Sequence, residues 1–283
     1  MKYFLLISII LLQLAERILT KQYNIKAKQI NTNLFTAIGS LCALVFFIIN
    51  GGKEFSFNPG IMPYAAAFAA SFGTALVTTA AAIGTGPLSV TTLVGSYSLL
   101  IPTFYGILFL HEPVGPLLYI GLAALVISLY LINRDKGENM KFSPVWLVYL
   151  ALSFVSNGMC STVQKMQQLK FDGLYKNEFM AISLALVSAV LFIAGLAKRG
   201  NKREMIGPCL KYGAAKGLAN GIVNYLVMAA TAFVPNAVLF PSISAGGIIL
   251  AFVCALTVYK EKLSKVQIAG YILGTVSVVL LNF

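Results

Sequence analysis

Two stretches, FLHEPVGPLLYIG at 109–121 and TVYKEKLSKVQIAG at 257–270, carry the same punctuation. Each ends an apolar run on a glutamate, places a glycine nine residues further on, and climbs back into apolar sequence. With Glu112 set on Glu261, an offset of 149 residues, Gly121 meets Gly270, Ser128 meets Ser277, Leu131 meets Leu280 and Asn133 meets Asn282 without a gap. Apolar helices match one another easily, so the Glu-to-Gly-to-Asn spacing carries more weight than the leucine. The offset is near half the chain. It divides the sequence at about residue 140 into two copies of one unit, 1–139 and 140–283.

Composition supplies the solvent for those copies. Hydrophobic residues make up 58% of the chain, charged residues 11%, and the mean hydropathy is +0.84. A soluble domain carries about 25% charged residues, and a soluble fold of this length could not hide so much apolar surface. A bilayer can, and a helix needs ~20 apolar residues to cross its ~30 Å of hydrocarbon. Ten apolar runs can be marked, roughly 3–20, 31–50, 60–83, 87–110, 114–133, 143–164, 178–197, 207–232, 235–259 and 264–282. The expected fold is therefore an all-α integral membrane protein with about ten transmembrane helices. Several links are very short, such as Gly84 to Pro87 and the single Pro235, and force antiparallel neighbours. The longer polar loops, TKQYNIKAKQINTN, NRDKGENMKFS, KFDGLYKNE and AKRGNKREM, are too short for a soluble domain.

Other classes fall away. The net charge of +12 suggests a nucleic-acid partner, but the basic residues sit mostly in short loops between apolar runs, the distribution of a membrane protein. Cys42, Cys160, Cys209 and Cys254 have no CxxC or metal spacing and read as small buried hydrophobes. The first run lacks a signal-peptide n-region and cleavage site and carries Gln13, Glu16 and Arg17 near its end, so it reads as a mature helix. No GxSxG context, metal cluster or Walker loop is present. The chain is expected to be no enzyme, to use no cofactor or metal, and to run on a substrate or ion gradient.

Five helices per copy has a mechanical consequence. An odd number makes the second copy enter the membrane from the opposite side, giving two inverted five-helix repeats. Carriers use such halves to exchange inward-open and outward-open shapes around a midplane site.

The arrangement resembles the drug/metabolite transporter superfamily, specifically its ten-helix EamA-type members. The resemblance rests on LFLHE closing the fourth helix, the glycine in LLYIGLAALVISLYLI, and the counterparts LTVYKE and QIAGYILGTVSVVLL. It spans the whole chain through the helix count, but its motif covers only the last two helices of each half. It implies a secondary carrier in the cell membrane, for substrates that range over amino acids, drugs, sugars and nucleotide-linked compounds. The family often opens each repeat with a Trp-rich helix, whereas Trp146 is the only tryptophan here.

Orientation is read two ways. Lys and Arg number about five in loops on the side of the amino terminus, Lys165 among them, and about fifteen on the other. That bias puts both termini outside. The family resemblance implies both in the cytoplasm.

Charged residues inside apolar spans are expensive and mark functional candidates. With Glu178 and Lys211 set aside at span edges, they are Glu16, Arg17 and Lys216. In KYGAAKGLANGIVNYLVMAA, Tyr212, Lys216, Asn220 and Asn224 recur every four residues and share one helical face. Gly213, Gly217 and Gly221 form the adjacent strip, where another helix can approach closely. One side of this helix packs and the next is polar over about three turns, as a wet cavity requires. Lys216 snorkelling to the interface is the bland alternative. The repeat mate, helix three, offers Tyr64, Phe68 and Phe72 along the corresponding face, and no cation.

Glu16 shares a face with Gln13 and Thr20 and is the candidate proton carrier; an interfacial pair with Arg17 is its alternative. Helix six carries Ser153, Asn157, Ser161 and Gln164 on one face. Helix four carries Tyr97 between Ser96 and Ser98, with Pro102 a turn later and Pro241 in a similar hinge role in helix nine. Asn157 and Tyr97 rank above the serines because a buried amide or phenol needs a partner. Glu112 and Glu261 suit fold roles such as capping a neighbouring helix, and His111 a surface position.

The expected substrate site is Lys216, Asn220, Asn224, Asn157, Tyr97 and Gln13, with Glu16 as coupling group, among helices one, three, four, six, eight and nine. The expected activity is alternating-access transport of a small polar metabolite, as exporter or exchanger, with Lys216 favouring a carboxylate or phosphate. A quaternary-cation or multidrug exporter is the alternative, and a lipid-handling membrane subunit and a channel are the others. The expected partners are a small-molecule substrate and the lipid bilayer, with the chain a monomer or weak dimer.

Overall fold

The computed structural model describes residues 2–27, 30–52, 55–85, 95, 97–98, 100–112, 115–134, 143–198, 202–232, 234–257 and 264–280. Among them the secondary structure is helical, with no strand. Ten α-helices follow in chain order: α1 Lys2–Lys26, α2 Thr32–Gly51, α3 Met62–Thr85, α4 Leu100–Phe109, α5 Pro116–Arg134, α6 Pro144–Lys170, α7 Lys176–Ala197, α8 Lys202–Thr231, α9 Asn236–Thr257 and α10 Lys265–Leu280. A 3₁₀ turn, Pro59–Ile61, precedes α3. Glu261 and Asn282 lie outside the described residues, as do the side chains of Arg17 and Asn133.

Four described helices, Thr32–Gly51, Pro59–Thr79, Pro144–Lys170 and Lys176–Ala197, are long and apolar enough to cross a membrane. Leu100–Phe109, Pro116–Ser128 and Ile268–Ser277 are shorter apolar segments. At 30 residues α8 has the length, but Lys211, Lys216, Asn220 and Asn224 interrupt its apolar character. Helix faces turned away from the protein carry large apolar side chains such as Phe4, Ile49, Val190 and Ile193.

Local chemistry sets the helix ends. Asn31 caps α2 by accepting from the Leu34 amide at 3.1 Å. Pro116 and Pro144 open α5 and α6, where the missing N–H is one the first turn would leave unbonded. In α7 the first-turn Glu178, set aside above as a span edge, is buried and accepts from the Ser56 amide at 2.8 Å.

Two segments read as loops are helical. The polar stretch after residue 20 continues α1 to Lys26, because buried Tyr23 stacks on Phe35 with centroids 4.2 Å apart. Helix α6 runs beyond its apolar segment to Lys170, and the Asp172–Gly173 turn, with φ of 50° and 78°, follows. Lys165 is therefore no loop residue. It is buried in α6, and its Nζ donates to the Thr231 carbonyl at the end of α8 at 2.7 Å.

The chain divides into two compact units. Unit 1 is Met1–Ile10, Thr78–Thr162 and Phe233–Phe283; unit 2 is Leu11–Val77 and Val163–Ala232. Each draws helices from both halves of the sequence.

In unit 1, α5 packs on α10 and α9 on α4. Ser128 donates to the Gly270 carbonyl at 2.6 Å, and Ser277 donates to the Gly121 carbonyl at 3.0 Å. These are the residues that the 149-residue offset superposes. The LHE phrase also has a structural reason here. His111 adopts a left-handed φ of 50° and is exposed, and the Glu112 amide folds back onto the Gly106 carbonyl at 3.1 Å. The Glu112 carboxylate then caps α9 by accepting from the Ala237 amide at 3.0 Å. A Cβ at Gly106 would collide with that carboxylate and lie 2.9 Å from the Asn236 Cβ. Trp146 packs with Ala82 and Leu150 in the same unit.

In unit 2, α2 packs between α7 and α8. The glycine strip of α8 meets α2, as its spacing predicts. A Cβ at Gly217 would overlap the Gly39 backbone, one at Gly213 would lie 2.8 Å from the Phe35 carbonyl, and one at Gly221 3.3 Å from the Ala43 Cα. Phe68 of α3 stacks on Phe72 and meets Phe179 edge-on, so that face of α3 is core. Cys209 is buried, with its sulfur 3.4 Å from the Tyr23 hydroxyl, and Cys42 is half-buried; Cys160, in the unit 1 part of α6, is buried. Cys254 has its side chain outside the described set.

Candidate functional site

The four-residue repeat on α8 places Lys216, Asn220 and Asn224 one above another, next to the glycine strip that brings α2 close. Helical geometry alone arranges that much. What tertiary packing adds is a line of amides with one direction. Gln164 of α6 donates its Nε2 to Asn224 Oδ1 at 2.8 Å. Asn224 donates its Nδ2 to Asn220 Oδ1 at 3.0 Å and to the Asn220 carbonyl at 2.9 Å. Asn220 donates its Nδ2 to Glu16 Oε2 on α1 at 3.1 Å.

The Asn224 and Asn220 amide oxygens each accept from the amide before them, so the N–H donors of the line all point toward the carboxylate. Aligned donors polarise one another in a low-dielectric setting, and their end is a strong site for negative charge. Lys216 lies a turn before Asn220 on the same face of α8. Its Nζ rests over the Phe35 ring, 5.0 Å from the centroid, and that ring is stacked on Tyr23. Gln13 lies a turn before Glu16 on α1, half-buried.

Five of the sequence candidates thus share unit 2: Gln13, Glu16, Lys216, Asn220 and Asn224. Asn157 and Tyr97 belong to unit 1. There Asn157 Nδ2 bonds its own helix at the Ser153 carbonyl, 2.8 Å away, and reaches the Thr79 hydroxyl at 3.4 Å. Thr79 and Ser153 share a hydrogen bond of 2.6 Å. Tyr97 is half-buried. Pro241 lies inside α9, and Pro102 falls in the first turn of α4.

Gln164 is the member of the amide line absent from the expected site. Its i+3 position after Ser161 puts it on the polar face of helix six, but no spacing along the chain ties it to α8, and the apolar run ends there, before Lys165. Buried Gln167 and Gln168 bond one another, so that stretch stays helical inside the protein.

No protein-family model matches the chain, and no curated protein matches it. Solved structures do, in 28 chains. One, described only as the crystal structure of a protein, aligns with 99% of this chain and 95% of its own at a TM-score of 0.79 and 13% sequence identity. Identity that low speaks to the fold alone.

Proposed function

We propose that the protein is a ten-span secondary carrier of the cell membrane, of the EamA type within the drug/metabolite transporter superfamily, moving a small polar metabolite by alternating access. The observation that carries this reading is the one-way amide line from Gln164 to Glu16 beside Lys216, built inside an otherwise apolar set of helices. Ionisable groups and buried amides there are costly in a bilayer, and their normal use is a pathway for a polar solute. The reciprocal Ser–Gly bonds between α5 and α10 support the inverted-repeat part of the reading. A two-fold axis relating equivalent residues gives paired contacts, each residue to its counterpart's partner. Glu16 is the coupling group of this reading, exchanging the Asn220 hydrogen bond for a proton during the cycle.

Counterflow in proteoliposomes tests the reading. A carrier shows saturable uptake of labelled substrate against an excess of the same compound inside, with amino acids, organic acids, sugars and quaternary amines as the first panel. Lys216→Ala is expected to abolish that uptake while the protein still inserts. Conductance without counterflow points to a channel, and full uptake by the variant removes Lys216 from the site. The cation-exporter reading calls for an acid in an aromatic cage, whereas Glu16 is engaged by Asn220.

A further inference from the structure

The direction of the amide line has a chemical meaning beyond transport as such. Asn220 Oδ1 is occupied by Asn224, and Asn224 Oδ1 by Gln164. Asn220 cannot turn its amide over without losing the bond it accepts and the bond it gives. What the α8 face offers at its end is therefore N–H only. Lys216 adds an ammonium, which donates and never accepts. Its place over Phe35 is a cation–π contact, weaker than a desolvated carboxylate pair, so the ammonium can be drawn off the ring. A cationic ligand would meet one acid already engaged. A neutral ligand that mainly donates would meet amide oxygens that each already accept a bond from the neighbouring amide. An anion meets every group in its preferred role, and the group that now sits there is itself a carboxylate on a flexible two-carbon stem from another helix.

We infer that Glu16 is a tethered stand-in for the ligand: Lys216 and Asn220 bind the carboxylate of a small anionic substrate, and the Glu16 side chain holds that place while no substrate is bound. The inference rests on the carrier reading for its transport meaning, but its binding chemistry stands on the site alone.

Propionate, which reproduces the Glu16 side chain as a free molecule, is the probe. Purified full-length Glu16→Ala protein is titrated with propionate, propionamide and propylamine, and the thermal midpoint is followed. Propionate should raise the midpoint saturably and bind at least about tenfold more tightly than to the parent protein, since charge-assisted hydrogen bonds are refilled and no internal carboxylate competes. Propionamide and propylamine should do neither, and adding Lys216→Gln should remove the propionate effect. If Glu16→Ala fails to fold, Glu16→Gln keeps the packing while removing the competing charge, and the same ranking is expected. Equal shifts from propionate and propylamine, a propionate effect that survives Lys216→Gln, or no propionate effect in either variant would overturn the inference. Counterflow separates the two readings. A neutral or cationic substrate that exchanges, with no rise in the Glu16→Ala midpoint on adding propionate, sinks the stand-in and spares the carrier. A propionate-induced rise in the Glu16→Ala midpoint without counterflow of any compound in the panel sinks the carrier and supports the stand-in.

Discussion

Ser128 on α5 donates its hydroxyl to the carbonyl of Gly270 on α10 at 2.6 Å, and the residues 149 positions away repeat the bond in reverse, Ser277 to Gly121 at 3.0 Å. Both serines are fully buried. Each glycine permits the close helix approach that brings the hydroxyl within reach.

If the two bonds are equivalent, Ser128→Ala and Ser277→Ala should each cost about 0.6 kcal/mol, with ~1.7 as the upper bound for such interhelical bonds. The bonds lie about two helical turns apart, so the double variant should lose the sum to within ~0.5 kcal/mol. Unfolding in mixed detergent measures all three. Unequal losses would show that the two contacts are not equivalent.

Helix α8 contains its own control for close packing. Gly217→Ala forces a Cβ into the Gly39 backbone, and a backbone cannot step aside as a side chain can. The cost expected for such overpacking is about 1–3 kcal/mol. Gly207→Ala meets nothing within 4 Å outside its chain neighbours, and with Pro208 next in the helix offsetting the gain in propensity it should be about neutral. The difference between the two midpoints is the quantity to measure. Equal behaviour would mean that α8 and α2 separate readily.

Lys165 is buried, with its ammonium on the last carbonyl of α8. Lys165→Met keeps the stem and leaves the Thr231 carbonyl without that donor. A loss of about 1.5–3 kcal/mol is expected for a charged hydrogen bond, with little dependence on salt because the contact is buried. Charge-labelling from either side of the membrane should leave Lys165 unmodified while reaching loop lysines. This placement also removes one cation from the loop tally on the amino-terminal side, so the topological bias must be counted without it.

The amide line should act as a unit. Asn224→Ala removes both the acceptor for Gln164 and the donor to Asn220, so Gln164→Ala added to it should change substrate affinity by little more. Each single variant should weaken binding by about three- to tenfold, from the ~1 kcal/mol of a typical hydrogen bond. Full additivity of the two would mean that the amides act separately. Glu16→Gln is expected to lose any rise in uptake under an imposed inward proton gradient, read in the same vesicles.

Much of this could be anticipated from local pattern. The apolar runs, the 149-residue offset and the α8 stripe of Lys216, Asn220 and Asn224 all depend on spacing along one strand of chain, which α-helical geometry converts directly into shared faces. The glycine strip likewise announces a close helix neighbour, though not which one. Gln164 was legible as part of the polar face of helix six but not as a partner of Asn224, whereas Lys165, Gln167 and Gln168 were illegible for a specific reason. Hydropathy scores a polar run as loop, while the tertiary structure supplies internal partners that keep it in α6.

The sequence by itself determined that helices would form and which helical faces would be apolar, glycine-lined or polar, because those properties repeat within one turn. Only the tertiary structure decided that Glu16 would stand at the end of an amide line beginning at Gln164, that α2 would fill the glycine strip, and that Ser128 and Ser277 would bond across to each other's glycine. Those partners are separated by 142 to 204 residues in the hydrogen-bonded cases of Glu16, Ser128 and Ser277. No spacing rule links such positions, and their meeting is set by how whole helices pack.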